Sequence, residues 1–405
     1  MTMVIPSYWA RESHLGWQEE DIIYDHPTPL DNQGTLLRAL QSIEVLKDTD
    51  FRLVILSAAT APDIETQVEE KIAGIIKLAS AKIGINVSLF GPSHLNQIHN
   101  LLISQGKNDY IDLLKLQGYS NIRNLCLFIP HIFSSEITIL IDDDEIFEDP
   151  EFILKAQEFI GNNIRGTTIN AVAGYYLQPS GDYRLKRTFA PWQKTWGQYD
   201  AMNEAFDKVI GSEPRLKETP FVFGGNMVIH RDLFTAVPFD PCVPRGEDID
   251  FLINARMFGF TFFLDNRLSI KHLPVPKTYP AWMQLRQDIY RFIYERAKIE
   301  NQKETEGMTM VYPESFDPYP GCFLKPDIAD KIKKSCQLLS EEYLSQDDRK
   351  SAEEALKNIV LAETDAAPKH DPFQHLRRIQ RRWETLMQYT SRKEVRSKVR
   401  RIIEL

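Results

Sequence analysis

The apolar run Ile137-Thr138-Ile139-Leu140-Ile141 leads directly into four carboxylates, Asp142, Asp143, Asp144 and Glu145. Five β-branched and aliphatic residues in a row read as a strand buried on both faces, as in the sheet of an α/β protein. Four adjacent carboxylates repel one another and cannot all leave water unless a cation sits among them. A hard divalent ion such as Mn²⁺ or Mg²⁺ meets that need, because it takes oxygen ligands and shares them with phosphates. Open α/β sheets hold ligands in the crevice at the carboxyl ends of their strands, and the tetrad stands at such an end. For the tetrad taken alone, a solvated and inert acidic turn is the competing reading.

The chain around it alternates strands and helices up to about residue 275. Met3-Val4-Ile5-Pro6-Ser7 reads as a first strand, Phe51 to Leu56 as a second and Ile85 to Phe90 as a third. Leu36, Leu40 and Ile43 share one helical face, and Ile64 to Leu78 forms a further helix. This is a βαβαβ pattern, the signature of a mostly parallel sheet covered by helices. No G-x-G-x-x-G follows the first strand and no Walker motif occurs, which sets aside a dinucleotide-dependent dehydrogenase and a P-loop enzyme. Beyond Pro276 the pattern turns helical, with Trp282 to Lys298, Asp327 to Tyr343 and Ala352 to Glu363 as helices. The expected division is therefore residues 1–275 as one α/β domain and 276–405 as a helical extension.

Three further segments accompany the tetrad: Gly118-Tyr119-Ser120-Asn121-Ile122-Arg123-Asn124, Phe223-Gly224-Gly225-Asn226, and Arg245-Gly246-Glu247-Asp248. In this order and spacing the chain resembles the nucleotide-sugar-dependent glycosyltransferases of the GT-A fold, closest to the family-2-like group. The resemblance covers roughly residues 3 to 275. It implies a metal-dependent transfer of a sugar from a UDP- or GDP-sugar to an acceptor hydroxyl on a small molecule or glycan. Pro6 and Ser7 stand in the opening segment that holds the nucleotide base. Arg123 is placed to reach the nucleotide, and Asp142 and Asp143 belong with the donor-binding residues, Asp143 as the more structural member. Asp144 ligates the metal, with Asp142 beside it, and His272, near the end of the α/β region, completes the metal shell. Gly224, Gly225 and Asn226 line the donor sugar and acceptor. Asp248, next to Glu247, is the general base that implies inversion, while Asp250 is the alternative structural acid.

Some residues are open to two uses on sequence grounds. Asp25 and His26 lie in the long segment from Tyr8 to Gln33, where loop histidines are more often solvated than bound. His230 is a weaker metal candidate than His272. Trp192 and Trp196 fit either an acceptor loop or the core. The stretch from Leu376 to Leu405 is rich in arginine and lysine, with Leu376, Ile379, Trp383, Leu386 and Met387 at helical spacing. It suits an anionic membrane surface or, the favoured reading, packing on its own enzyme or a second subunit.

Composition narrows the field. A net charge of -9 argues against general nucleic-acid binding. Cys126, Cys242, Cys322 and Cys336 are too scattered for a zinc site or a disulfide framework. With no apolar run of membrane-spanning length and no signal-peptide pattern, the expectation is a cytoplasmic protein, peripheral at most to the inner face of a membrane. A nucleotidyltransferase and a catalytically silent nucleotide-sugar-binding scaffold are the alternative functions.

Overall fold

The computed structural model describes all residues of the chain except Arg165, Arg187, Thr278 and Leu405, and it leaves the side chain of Ala81 undescribed. The first strand, β1 (Thr2–Ala10), has Met3, Val4 and Ile5 fully buried. It runs past the expected end at Ser7 because Tyr8 and Trp9 pair with Ala58 and Ala59 of the third strand. The strands that follow are β2 (Thr28–Pro29), β3 (Arg52–Ala59), β4 (Val87–Phe90), β5 (Ile137–Ile141) and β6 (Glu145–Ile146). A small hairpin, β7 (Asn163–Ile164) and β8 (Thr167–Thr168), lies apart from the main sheet. β9 (Ala171–Leu177), β10 (Leu216–Glu218), β11 (Asn226–His230) and β12 (Phe262–His272) complete it.

The sheet order is β10-β12-β9-β11-β5-β1-β3-β4. β4, β3, β1 and β5 are parallel, β11 runs antiparallel to both of its neighbours, and β9 and β12 are parallel to each other. The architecture is thus the α/β one expected, a mostly parallel sheet flanked by helices, with helices after residue 280.

Because both faces are covered, successive residues of a strand enter different cores. Val4, Val54 and Leu140 point into one, while Ile5, Ile55 and Ile139 point into the other. The helices Leu36–Ser42, Glu65–Ile83 and Phe152–Glu158 close the second core. Tyr119–Ile132 and Glu247–Met257 close the first, and the helices after residue 280 pack on that same side.

The basic tail resolves into two helices, Pro372–Thr390 and Lys393–Ile403. Asp371 caps the first by accepting from the backbone N–H groups of Phe373 and Gln374. Its apolar stripe is buried on the protein itself: Leu376, Ile379, Trp383, Leu386 and Met387 are all inside, and the Trp383 Nε1–H donates to the Phe234 carbonyl at 3.0 Å. That is the favoured of the two readings of the stripe. Leu405, the last residue of that stretch, lies outside the described residues. Among the described residues no helix is long and apolar enough to cross a membrane.

Helix Ala281–Glu300 is tied to the site-bearing helix Glu247–Met257 by a buried charge cluster. The Lys298 Nζ lies 2.5 Å from Asp250 and 3.2 Å from Asp240, all three side chains fully buried. Replacing Lys298 by Met strands two carboxylates in the core, for which the expected loss is about 3–5 kcal/mol. Urea unfolding at pH 7 checks this, with the midpoint falling and the slope unchanged.

Candidate active site

A cleft of about 620 Å³ opens at the carboxyl ends of β1 and β5, a volume in the range of small-molecule sites. Asp142, Asp143 and Asp144 line it, and Glu145 is buried behind them. After Ile141 the chain turns, with the Glu145 N–H donating to the Asp142 carbonyl at 3.3 Å and the Asp142 N–H donating to Glu145 Oε2 at 3.0 Å. β6 then pairs with the end of β12, setting His272 opposite Glu145, and the Leu273 N–H donates to the Asp144 carbonyl at 2.8 Å. This short ladder brings His272 Nε2 to 3.2 Å from Asp144 Oδ2, across 128 residues of sequence.

Each carboxylate of the tetrad meets a different environment. Asp142 forms a two-point ion pair with Arg123, at 2.9 and 3.0 Å. Asp143 accepts from the Ser7 hydroxyl at 2.5 Å, and burial holds its carboxyl well above the usual range. Burial also acts to raise Asp144, yet the neighbouring His272 and His26 outweigh it and hold Asp144 below the usual value. Glu145 is fully buried, and burial with the charges of Asp142 and Asp144 raises it well above the usual range.

Two histidines face Asp144. Burial opposes charge on His272, but Asp144 beside it wins and raises its pKa. Tyr176 stacks on the same ring with centroids 4.9 Å apart. For His26, burial dominates and lowers the pKa. Its Nδ1 lies 2.7 Å from the Val275 carbonyl. A carbonyl only accepts, so Nδ1 carries the proton and Nε2 keeps its lone pair. One ligand atom each from His26, Asp144 and His272 lie within 4.8 Å of one another. A divalent ion fits this donor set of two imidazoles and a carboxylate.

Across the cleft, helix Glu247–Met257 starts at Gly246, whose φ of +70° and close approach to Arg291 leave no room for a side chain: a Cβ there would fall 1.6 Å from Arg291 Nη1. Asp248 is held by the backbone, accepting from the Gly224 N–H at 3.0 Å and the Ile249 N–H at 2.9 Å. Burial raises its pKa against the pull of Arg291. Glu247 bonds Arg123 at 3.1 Å, so one buried guanidinium joins the tetrad to this helix. Burial, aided by Asp248, pushes Glu247 up to about 7 despite Arg123. Asp250 faces away, into Lys298 and Asn254.

Several other residues expected at the site do not line the cleft. Pro6 and Ser7 lie inside β1, and Tyr8 is the residue of that strand that reaches the cleft. Gly224 lines the cleft, while Gly225 packs under the tetrad, where a Cβ would stand 2.2 Å from Glu145 Oε1 and 2.8 Å from Asp142 Cγ. Asn226 is fully buried and clamps strands by donating to the Leu268 and Tyr175 carbonyls. His230 pairs with Ile137 at the opposite end of β5, where its ring accepts from the Asp232 N–H as a helix cap. Trp192 and Trp196 are both in the core. His26 is the reverse case, a loop histidine delivered to the site. Its neighbour Asp25 anchors the loop through Arg245 at 3.0 Å and Tyr279 at 2.7 Å.

No known protein-family model matches the chain, and no curated protein does. Among solved structures it is similar to a mannosyltransferase from Pyrobaculum calidifontis in complex with GDP-Man and Mn²⁺, at 14% identity over 96% of this chain and 84% of that one, with a TM-score of 0.42. It is also similar to glucosyl-3-phosphoglycerate synthase from Mycobacterium tuberculosis in complex with Mn²⁺ and UDP-Glc, at 15% identity over 73% of this chain and 78% of that one, with a TM-score of 0.36. These likenesses are remote, and the functional reading rests on the geometry of the site itself.

Two predictions follow from that geometry. Glu247 takes up a proton more readily folded than unfolded, so its contribution lowers stability as pH rises from about 4.5 to about 7. In Glu247→Gln that part of the pH dependence disappears, and the decline in melting temperature over this window becomes shallower. Gly225→Ala displaces Glu145 and Asp142 from under the backbone, and overpacking of this kind costs about 1–3 kcal/mol. Chemical denaturation of the variant measures it.

Proposed function

We propose that the chain is a GT-A glycosyltransferase that moves a sugar from a nucleoside diphosphate sugar, a UDP- or GDP-sugar, to an acceptor hydroxyl with a divalent metal, Mn²⁺ or Mg²⁺. The observation that supports this best is the pairing of two sites across one cleft. Asp144 and His272, the metal ligands in this reading, lie 3.2 Å apart on one side, and Asp248 is held by two backbone N–H groups on the other. When bound, the ion neutralises charge that builds on the diphosphate leaving group as the glycosidic bond breaks.

The remaining roles belong to the chain's own residues. Asp248 takes the proton from the acceptor hydroxyl as that oxygen attacks the anomeric carbon on the face opposite the diphosphate, which implies inversion. The hydrogen bonds from Gly224 and Ile249 orient the carboxylate, and its raised pKa brings it nearer to that of a base useful at neutral pH. Arg123 bonds both Asp142 and Glu247, so it ties the donor side to the base side. Tyr8, near the end of the first strand, lines the cleft, its ring packed against Tyr24 and Tyr119. Residues 1–275 form the catalytic part in this reading, and 276–405 the helical part that packs on it.

A product assay with UDP- and GDP-sugars tests the reading. Asp144→Ala is expected to abolish metal-dependent transfer and donor hydrolysis. Asp248→Asn is expected to lower kcat by about 10²- to 10⁴-fold while donor binding stays within a few fold. Equal losses of donor affinity and kcat in Asp248→Asn would remove it from the role of base.

A further inference from the structure

We propose that His26 is a third protein ligand of the divalent ion, making a site of two histidines and one carboxylate with Asp144 and His272. This rests on the metal-dependent reading above and adds to it a ligand from a loop 118 residues before Asp144 in the chain.

Three observations carry it. The ligand atoms of His26, Asp144 and His272 converge within 4.8 Å of one another, close enough for one ion to contact all three. The His26 ring is already in the tautomer a ligand needs, because Nδ1–H is spent on the Val275 carbonyl and the free lone pair is on Nε2. A ring N–H bonded to a backbone carbonyl is the usual device that orients a metal-binding histidine. That carbonyl lies three residues beyond His272, in the segment whose Leu273 N–H is bonded to the Asp144 carbonyl. One stretch of backbone therefore aims all three side chains.

The loop that brings His26 in is anchored and not merely near. Arg11 binds Asp21 at 3.0 Å and Asp63 at 2.5 Å, and Asp25 is gripped by Arg245, Lys277 and Tyr279. These contacts hold the ring in place against the loss of side-chain freedom that ligation demands.

The ligand chemistry has a consequence for metal choice. Imidazole nitrogen suits first-row transition metals, more strongly from Mn²⁺ to Co²⁺, whereas Mg²⁺ keeps to oxygen ligands and water. Two imidazoles therefore bias the site towards Mn²⁺ and Co²⁺ over Mg²⁺. Three protein ligands also leave open positions for diphosphate oxygens.

The test uses the full chain and metal alone, without a sugar donor. Titration of Mn²⁺, followed by the electron paramagnetic resonance signal of the free ion, is done on the unaltered protein, His26→Ala and His272→Ala. The expected result is a loss of Mn²⁺ affinity of at least about tenfold in each variant, with His26→Ala also losing preference for Mn²⁺ over Mg²⁺. Electron spin echo modulation of Mn²⁺ bound to the unaltered protein needs no variant and is expected to show two coordinated imidazole nitrogens. A single imidazole, or unchanged affinity in His26→Ala beside a loss in His272→Ala, overturns the role of His26 and leaves the metal-dependent reading standing. No binding of Mn²⁺ to the unaltered protein, with or without UDP or GDP, overturns both.

Discussion

A row of four carboxylates at the end of a buried strand forces the rest of the site into being. Their mutual repulsion and the cost of desolvation require that each find its own compensation. Arg123 compensates Asp142, the Ser7 hydroxyl donates to Asp143, the histidines compensate Asp144, and the Asp142 N–H donates to Glu145. The sorting is spatial. It takes a helix, a first strand, a last strand and an N-terminal loop to supply what four consecutive residues need, and those elements are thereby fixed against one another.

Arg123 extends the constraint to the far wall. A fully buried guanidinium needs more than one acceptor, and its second partner is Glu247. Glu247 precedes Asp248, so the charge balance of the tetrad also sets the register of the helix that carries the proposed base. The two glycines of Phe223-Gly224-Gly225 serve the same crowding. They let backbone pass against Arg123 on one side and against Glu145 and Asp142 on the other, where any Cβ would collide. By motif position these glycines are assigned to the donor sugar and acceptor; the groups that approach them in the structure are the site's own side chains.

Outside the site, legibility followed the local signal. Strands β1, β3 and β5 were readable because both faces of the sheet are covered, so their sequences are continuous apolar runs that no loop would carry. The long helices after residue 280 were readable from their periodicity, and the amphipathic tail was readable as a helix whose stripe packs inward. The break at Ser391 and Arg392, which makes it two helices, was not evident, since apolar spacing continues through it with Val395, Val399 and Ile403. Pro6, Ser7 and Asn226 were assigned to ligand contacts by motif position. Alternation turns Ser7 to the face opposite Tyr8, where it bonds Asp143, while Pro6 shares the Tyr8 face without lining the cleft, and a motif does not state which residue reaches the ligand.

The sequence by itself determined the α/β architecture, the strand end that bears the site and the chemical character of the tetrad, because these depend on composition and period over a few consecutive residues. It also singled out Arg123, Glu247, Asp248 and His272 as residues of interest. Only the tertiary structure decided which of them meet. His26 joins Asp144 and His272, His230 ends at the other end of the sheet, Asp250 turns to Lys298 and Asp248 to the cleft. Those outcomes depend on strand order, on the pairing of β6 with β12 and on the path of the loop between β1 and β3. They involve contacts between residues far apart in the sequence, such as His26 and His272 at 246 positions, and no local pattern of side chains records such a separation.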